Sequence, residues 1–518
     1  MPRDVRNGGA IFPRVEVTVA SLRARVEPFL SELAEAHFRH GSGLGAGLPL
    51  DELYEDHADL SRSESYVMLE EALGHARATE EDKRRLRRLR ELVATQIEEV
   101  RSRPARVEIA RLERQGEVAT PHGNRTVRDA AATLPLEADR LLRGATERAL
   151  GEFLLSHARP FARRVESAFD TARALGQPSY LALRQHVTGI DLQPLAEAAQ
   201  ALLRTTEDAW RDVLAYALRK VDAKVRPLPS GDASRHDLLR LGVAPWMLEH
   251  FPQRELLAVA RRSVEELGFH PSAHGRLRVD TDAREGKSTR PFVAAVRVPD
   301  DVRLSLRPGQ GMEDYLCLLH ELGHALHFAH VSKSAPVEDR RLGDASVTEG
   351  FAFFFGHFLL EEKWHRRYLG LTPQQAKEAV RIAALNELGL LRRHAARLLY
   401  ELELYRRGPS PALAGEYQAL MEAALFVRVP QGLYLSDVDP QLYGARYLRG
   451  WALDALLHRL VRERFDDDYF RNPATGQFLA GLFELGGRED AEGLAQMLAG
   501  GPLSLGSAGD RLVAVLNR

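Results

Sequence analysis

Along most of the chain, apolar and charged positions alternate at the spacing of a helix. From Ser65 to Arg103, Leu, Val and Ile recur every three or four residues among Glu, Arg and Lys, as on an amphipathic helix with one apolar face. The same pattern fills Leu134 to Ala174, Leu192 to Val221, Gln253 to Leu267 and Pro373 to Arg407. After Val221 the texture changes, and Pro227 to Pro245, with its Pro, Gly and Ser, reads as a connector. Leu277 to Pro308 then holds short β-type runs, FVAAVRV at 292–298 and VRLSLR at 302–307, with Pro299, Asp300 and Asp301 as the turn. From Met312 the helical pattern returns, broken at Pro336, Pro373, Pro409, Pro430 and Pro473. No repeat of fixed period is present, which removes the basis for a solenoid. The pattern predicts a mainly α fold with one small β-sheet placed just before a helix.

Composition narrows the classes of function. The 518 residues allow roughly two to four domains. With 71 basic against 73 acidic side chains the net charge is −2, which gives no basic field for nucleic acid. Only seven of the basic residues are lysine, and a bias of genome composition explains the excess of arginine. The run KRRLRRLR at 83–90 is flanked by Glu80, Glu81, Asp82, Glu91, Glu98 and Glu99, and reads as a solvated helix face. A single cysteine, Cys317, excludes an internal disulfide and a cysteine-rich zinc finger. The start, MPRDVRNGGAIFPRVEV, lacks a continuous apolar stretch, so no secretory signal is expected. The longest strongly apolar stretch, Phe351 to Leu360, is too short to span a bilayer. A cytoplasmic protein with neither membrane nor nucleic-acid partner is the expectation; the oligomeric state is left open. The glycine-rich Gly41 to Gly47 lacks the ending of a phosphate loop. Gly286-Lys287-Ser288 has Thr281 where the earlier glycine is needed, so neither reads as a nucleotide site.

The chemistry concentrates in YLCLLHELGHALHFA, 315–329, which contains His320-Glu321-Leu322-Gly323-His324. Residues four apart on a helix lie about 40° apart in projection, so both imidazoles face one side and can share one zinc ion. Glu321 is turned about 100° from His320, where it can reach a water without being a ligand. A catalytic zinc takes three protein ligands and leaves one position open. His330 has the spacing of a metzincin ligand, but His327 stands where that motif needs a turn-forming glycine. Glu349, in GDASVTEGFAFFF, is the better third ligand: it opens an apolar helix, and a buried charge there needs a partner. Ser346 and Glu349 also have capping-box spacing, a use that competes with ligation. Gly311 to Asp314 echoes an aminopeptidase signature but lies too near His320; Glu313 and Asp314 read as first-turn acids.

HELGHALH followed by TEGFAF, with RPFVAAVRVPDDVRLSLRP before and LGDASVTEG around it, resembles the oligoendopeptidase F and thimet oligopeptidase family of zinc peptidases. The resemblance is strongest over 285–360 and weaker over 430–490. It implies a large two-lobed helical peptidase with a deep substrate channel, an N-terminal lobe over 1–225 and a catalytic lobe over 226–518. It also implies a tyrosine-rich segment facing the scissile carbonyl. Tyr443 and Tyr447 match the first and second tyrosines of that segment, and Leu448 replaces the third. The family's histidine shortly before the first tyrosine is missing from Gln431 to Leu442.

The expectation is therefore a zinc-dependent endopeptidase acting on oligopeptides, with one Zn2+ per chain held by His320, His324 and Glu349. Glu321 is the expected general base. Tyr447 is the expected oxyanion donor, with Tyr443 second. A strand at 292–298 or 302–307 is expected to pair with substrate, and Asp344 either to orient a ligand histidine or to serve as a cap or solvated loop residue. His327 is assigned to packing or substrate contact, and Arg446 and Arg449 are candidates for a peptide carboxylate. The alternatives are a metallocarboxypeptidase of the related helical clan and a non-catalytic helical protein with a structural zinc.

Overall fold

The computed structural model describes residues 17–45, 47–75 and 79–518. The start of the chain, read above for a signal, and Ala46 of the glycine-rich loop lie outside the described residues. Helices dominate, as the pattern predicts. One buried apolar cluster runs from Leu22 to Val515 and draws on residues from both sides of position 225. Each fully buried Leu or Phe in it contributes about 2 kcal/mol relative to exposure. Among the described residues no helix is long and apolar enough to cross a membrane.

The predicted helices are present with shifted ends. Pro373–Arg407 is a single helix, started by Thr372 and Gln375 in a capping box with Pro373 at its first position. Leu192 to Val221 is two helices, Leu192–Thr205 and Glu207–Val221. The first predicted helix is also two, Ser63–Gly74 and Glu80–Gln115, and the second continues through Pro104. KRRLRRLR is not a solvated face. Arg84 and Arg85 bond to Asp339, which is 4% exposed, and Leu86, Leu89 and Arg90 are buried. The connector 227–245 also contains a helix, Arg235–Val243, started by Ser234 and Asp237.

The expected sheet forms, with a third strand. Phe292–Arg297 pairs antiparallel with Asp301–Ser305, and Leu277–Asp280 joins the other side of Asp301–Ser305 in parallel. The middle strand therefore has both edges paired and cannot add a substrate strand. The outer strand Phe292–Arg297 has a free edge, where Arg341 already donates to Ala295 O and Val296 O. A second hairpin, Glu117–Thr120 with Gly123–Thr126, was not expected.

Three helices position the candidate site residues. The motif helix Met312–His330 and the tyrosine helix Tyr443–Phe465 both pack on the helix Ala345–Gly356, which bears Glu349. Glycines permit the close approach. A Cβ at Gly323 would lie 2.6 Å from Ala352 Cα, and one at Gly450 would lie 2.8 Å from Glu349 Cβ.

Candidate metal centre

The motif helix is anchored by buried Leu318, Leu319, Leu322, Ala325 and Leu326. That leaves His320 and His324 one turn apart on a half-buried face, their rings 4.9 Å apart and nearly perpendicular. Glu349 comes from the neighbouring helix and is 4% exposed. Its Oε2 lies 3.5 Å from His320 Nε2 and 3.6 Å from His324 Nε2. The edge of a tetrahedron with zinc-ligand bonds of ~2.1 Å is about 3.4 Å, so the three atoms are spaced to share one ion. Among the described residues Glu349 Oε2 is buried with no hydrogen-bond partner, which fits a metal-ligand atom.

The surroundings hold these atoms in place. Asp344, not Ser346, starts the Glu349 helix, accepting from the Ser346 backbone N–H at 3.0 Å. The capping box is absent, so Glu349 is free to face the histidines. Asp344 Oδ2 also accepts from Arg449 Nη1 at 2.6 Å and from the Ala491 backbone N–H. It therefore fixes the helix start and touches neither histidine. The histidine contact comes from Thr348, whose Oγ1 is 2.8 Å from His324 Nδ1. With Nδ1–H donating to Thr348, His324 Nε2 keeps its lone pair for the shared site. Tyr443 donates its hydroxyl to Glu349 Oε1 at 2.8 Å.

Burial and charge set the protonation of the groups. Burial pulls His324 down to about 4, so it is neutral at pH 7. Burial opposes ionisation of Glu349, but His324, His320 and Tyr443 outweigh it and hold the carboxyl below its ordinary value. Burial also acts to lower His320, and Glu349 reverses the direction. Glu321 is not one of the three converging groups. Burial pushes its carboxyl up to about 7, with Glu349 adding to the rise and His320 opposing it. A carboxyl poised there exchanges protons near neutral pH.

The remaining predicted residues divide. Tyr447 is half-buried, its ring 4.9 Å from that of Tyr443 and 5.0 Å from that of His394. Leu448 lies fully in the core. Arg449 is committed to Asp344 and Ser346, and Arg446 to Glu91, so neither stands ready for a peptide carboxylate. His327 is buried among Phe328, Phe351 and Phe483, a packing role. His330 bonds its Nδ1 to Leu326 O, away from the shared site. Half-buried Cys317 belongs to no ligand group, and burial pushes its thiol up to about 12. Sequence reasoning missed Thr348 and His394. Thr348 adjoins Glu349 in VTEG, but nothing in that string says which histidine it meets.

No family model matches the chain, and no curated protein does. Solved structures do match. An M32 carboxypeptidase from Deinococcus radiodurans R1 superposes with a TM-score of 0.64 at 14% identity, covering 96% of this chain and 99% of its own. A carboxypeptidase of Pyrococcus furiosus gives 0.61 at 14% identity, covering 95% and 97%. The chain thus shares the helical fold of these structures over nearly its whole length. Both structures are carboxypeptidases; the comparisons do not support the narrower resemblance to oligoendopeptidase F and thimet oligopeptidase.

Proposed function

We propose that the protein is a metal-dependent peptidase that removes residues from the C-terminus of peptides. The observation that carries the peptidase reading is the convergence of His320 Nε2, His324 Nε2 and an unpartnered, buried Glu349 Oε2, with Glu321 beside them. The carboxypeptidase mode, rather than the internal cleavage expected from the motifs, is favoured by the fold shared with two carboxypeptidases along nearly the full chain.

His320, His324 and Glu349 would hold one zinc ion. When bound, the ion supplies Lewis acidity toward a water and a peptide carbonyl. Glu321 takes a proton from the attacking water and delivers it to the leaving amine, a role its raised carboxyl suits. Tyr443 keeps Glu349 in its ligand rotamer, and the Thr348 hydroxyl keeps the His324 ring in plane with the site. Tyr447, which makes no side-chain hydrogen bond, is the hydroxyl left to donate to the developing oxyanion.

The test is mass analysis of the products of an unblocked ten-residue peptide, with and without a chelator. The reading predicts a ladder shortened stepwise from the C-terminus, abolished by chelation and restored by zinc. An amidated C-terminus should block it. Internal cuts indifferent to amidation would replace carboxypeptidase with endopeptidase, and chelator-resistant cleavage would remove the metal mechanism.

A further inference from the structure

On the far side of the Glu349 helix lies a second convergence of ligand-type side chains, which the peptidase mechanism does not use. His357 follows the end of that helix, Asp454 and His458 lie four apart on the tyrosine helix, and all three are at most 2% exposed. Each offers one ligand atom, and these atoms all lie within 4.8 Å of one another. His458 has no hydrogen-bond partner at either nitrogen, and Asp454 Oδ1 has none either, although 3.2 Å separates that oxygen from His458 Nε2. Buried polar atoms left in this state are costly unless something occupies the space between them.

Carboxylates flank His357 on both sides. Its Nε2 is 3.0 Å from Glu387 Oε2, a carboxylate that Trp451 also donates to. Its Nδ1 faces Asp454 Oδ2 at 2.7 Å; burial opposes the charge, but Asp454 and Glu387 outweigh it and push His357 up to about 9, so the imidazolium bridges the two carboxylates. Arg511 Nη1 lies beside this pair, 2.9 Å from His357 Nδ1 and 2.7 Å from Asp454 Oδ2. It satisfies only part of the cluster. Of the two carboxylates only Asp454 meets the guanidinium; among the described residues His458 has no polar partner closer than Asp454 Oδ1 at 3.2 Å, and Arg511 Nη2 is buried without a partner. A cavity of about 520 Å³, lined by His458, Arg511, Ser504 and Ser507 among others, opens beside them. It provides an entry path for an ion and room for Arg511 to swing aside.

We propose that His357, Asp454 and His458 form a second divalent-metal site, with Glu387 holding the His357 ring and Arg511 beside Asp454 when the site is empty. Two imidazoles and one carboxylate on facing helices suit zinc or another first-row ion. The site lies behind Trp451, which stacks on Phe353, and Phe353 in turn meets the His320 ring edge-on. The ion would brace the helix junction behind the first centre without touching substrate.

The experiment is a count of zinc bound per chain after titration of metal-free full-length protein. Two equivalents are expected for the wild type and one for the His320→Ala/His324→Ala double variant. Adding His458→Ala to that double variant should remove the last equivalent. Arg511→Gln, at a side chain 15% exposed, should keep the ion and tighten the second site at least tenfold. Absence of zinc from the double variant, with or without Arg511→Gln, would overturn the proposal and leave Arg511 as the permanent counter-cation. Because the double variant lacks the first site, its count does not depend on the peptidase reading. One equivalent in the wild type that survives in the double variant would sink that reading and not this one.

Discussion

The junction between the motif helix and the Glu349 helix can be opened with one methyl group. A Cβ added at Gly323 would lie 2.6 Å from Ala352 Cα and 2.8 Å from Phe351 O, both backbone atoms that cannot rotate away. Carbon atoms at rest need about 3.5–4.0 Å, so Gly323→Ala must part the two helices by roughly 1 Å. Overpacking of this kind costs about 1–3 kcal/mol, of which the higher helix propensity of alanine returns up to about 1 kcal/mol. Glu349 moves with its helix, and Oε2 then leaves the ~3.5 Å spacing it keeps to both Nε2 atoms. Zinc affinity should fall at least tenfold, and cleavage by about a hundredfold, the usual effect of a 1 Å misplacement. The assay is competition against a chromophoric chelator, with urea denaturation in parallel. Gly415→Ala is the control: that glycine sits at an exposed position of the helix Leu413–Leu425 with nothing near its Cβ, and alanine there should stabilise by about 0.5–1 kcal/mol. If Gly323→Ala bound zinc like the wild type and gained stability like Gly415→Ala, the helices would not be in this contact.

Three further outcomes are expected. Tyr443→Phe removes the hydroxyl that donates to Glu349 Oε1 and should weaken zinc binding ten- to a hundredfold in the same chelator competition, with the fold unchanged by circular dichroism. Thr348→Val, nearly isosteric, should cost about tenfold in zinc affinity by freeing the His324 ring; an unchanged affinity would show that packing alone orients it. For Asp344, burial acts against ionisation, but Arg449, Arg446 and Arg88 outweigh it and hold the carboxyl well below the usual range. A group depressed in this way adds stability above its unfolded value near 4 and loses it as the pH falls further. Asp344→Asn should therefore destabilise by about 3 kcal/mol at pH 7, and the gap to wild type in denaturant titrations should close below pH 4.

Local patterns told most where chemistry and periodicity coincide on one element. The two histidines and Glu321 share a single helix, so their spacing is their geometry. Pro373–Arg407 was legible because Thr372, Pro373 and Gln375 mark its start. Glu349 was legible as an acid out of place before four phenylalanines, but its partners were not. Ser346 has the right spacing to cap the helix, yet Asp344 does so because Arg449, 105 positions away, holds it there. The arginines at 84 and 85 looked solvated because Asp339, the buried carboxylate they pair with, is more than 250 positions distant. Leu277–Asp280 is too short and too charged to announce a strand; it exists because the middle strand offers a second edge. His394 meets Tyr447 only through the crossing of two helices, which no spacing within either one encodes.

The most direct test of the peptidase reading measures zinc content and peptide cleavage together in Glu321→Gln. The glutamine keeps the shape of the side chain and removes the carboxylate that moves the proton. The zinc content should equal that of the wild type, while cleavage falls by a factor of about 100 or more. Wild-type cleavage by this variant, or loss of its zinc, would contradict the assignment of Glu321 as the base beside a site held by His320, His324 and Glu349.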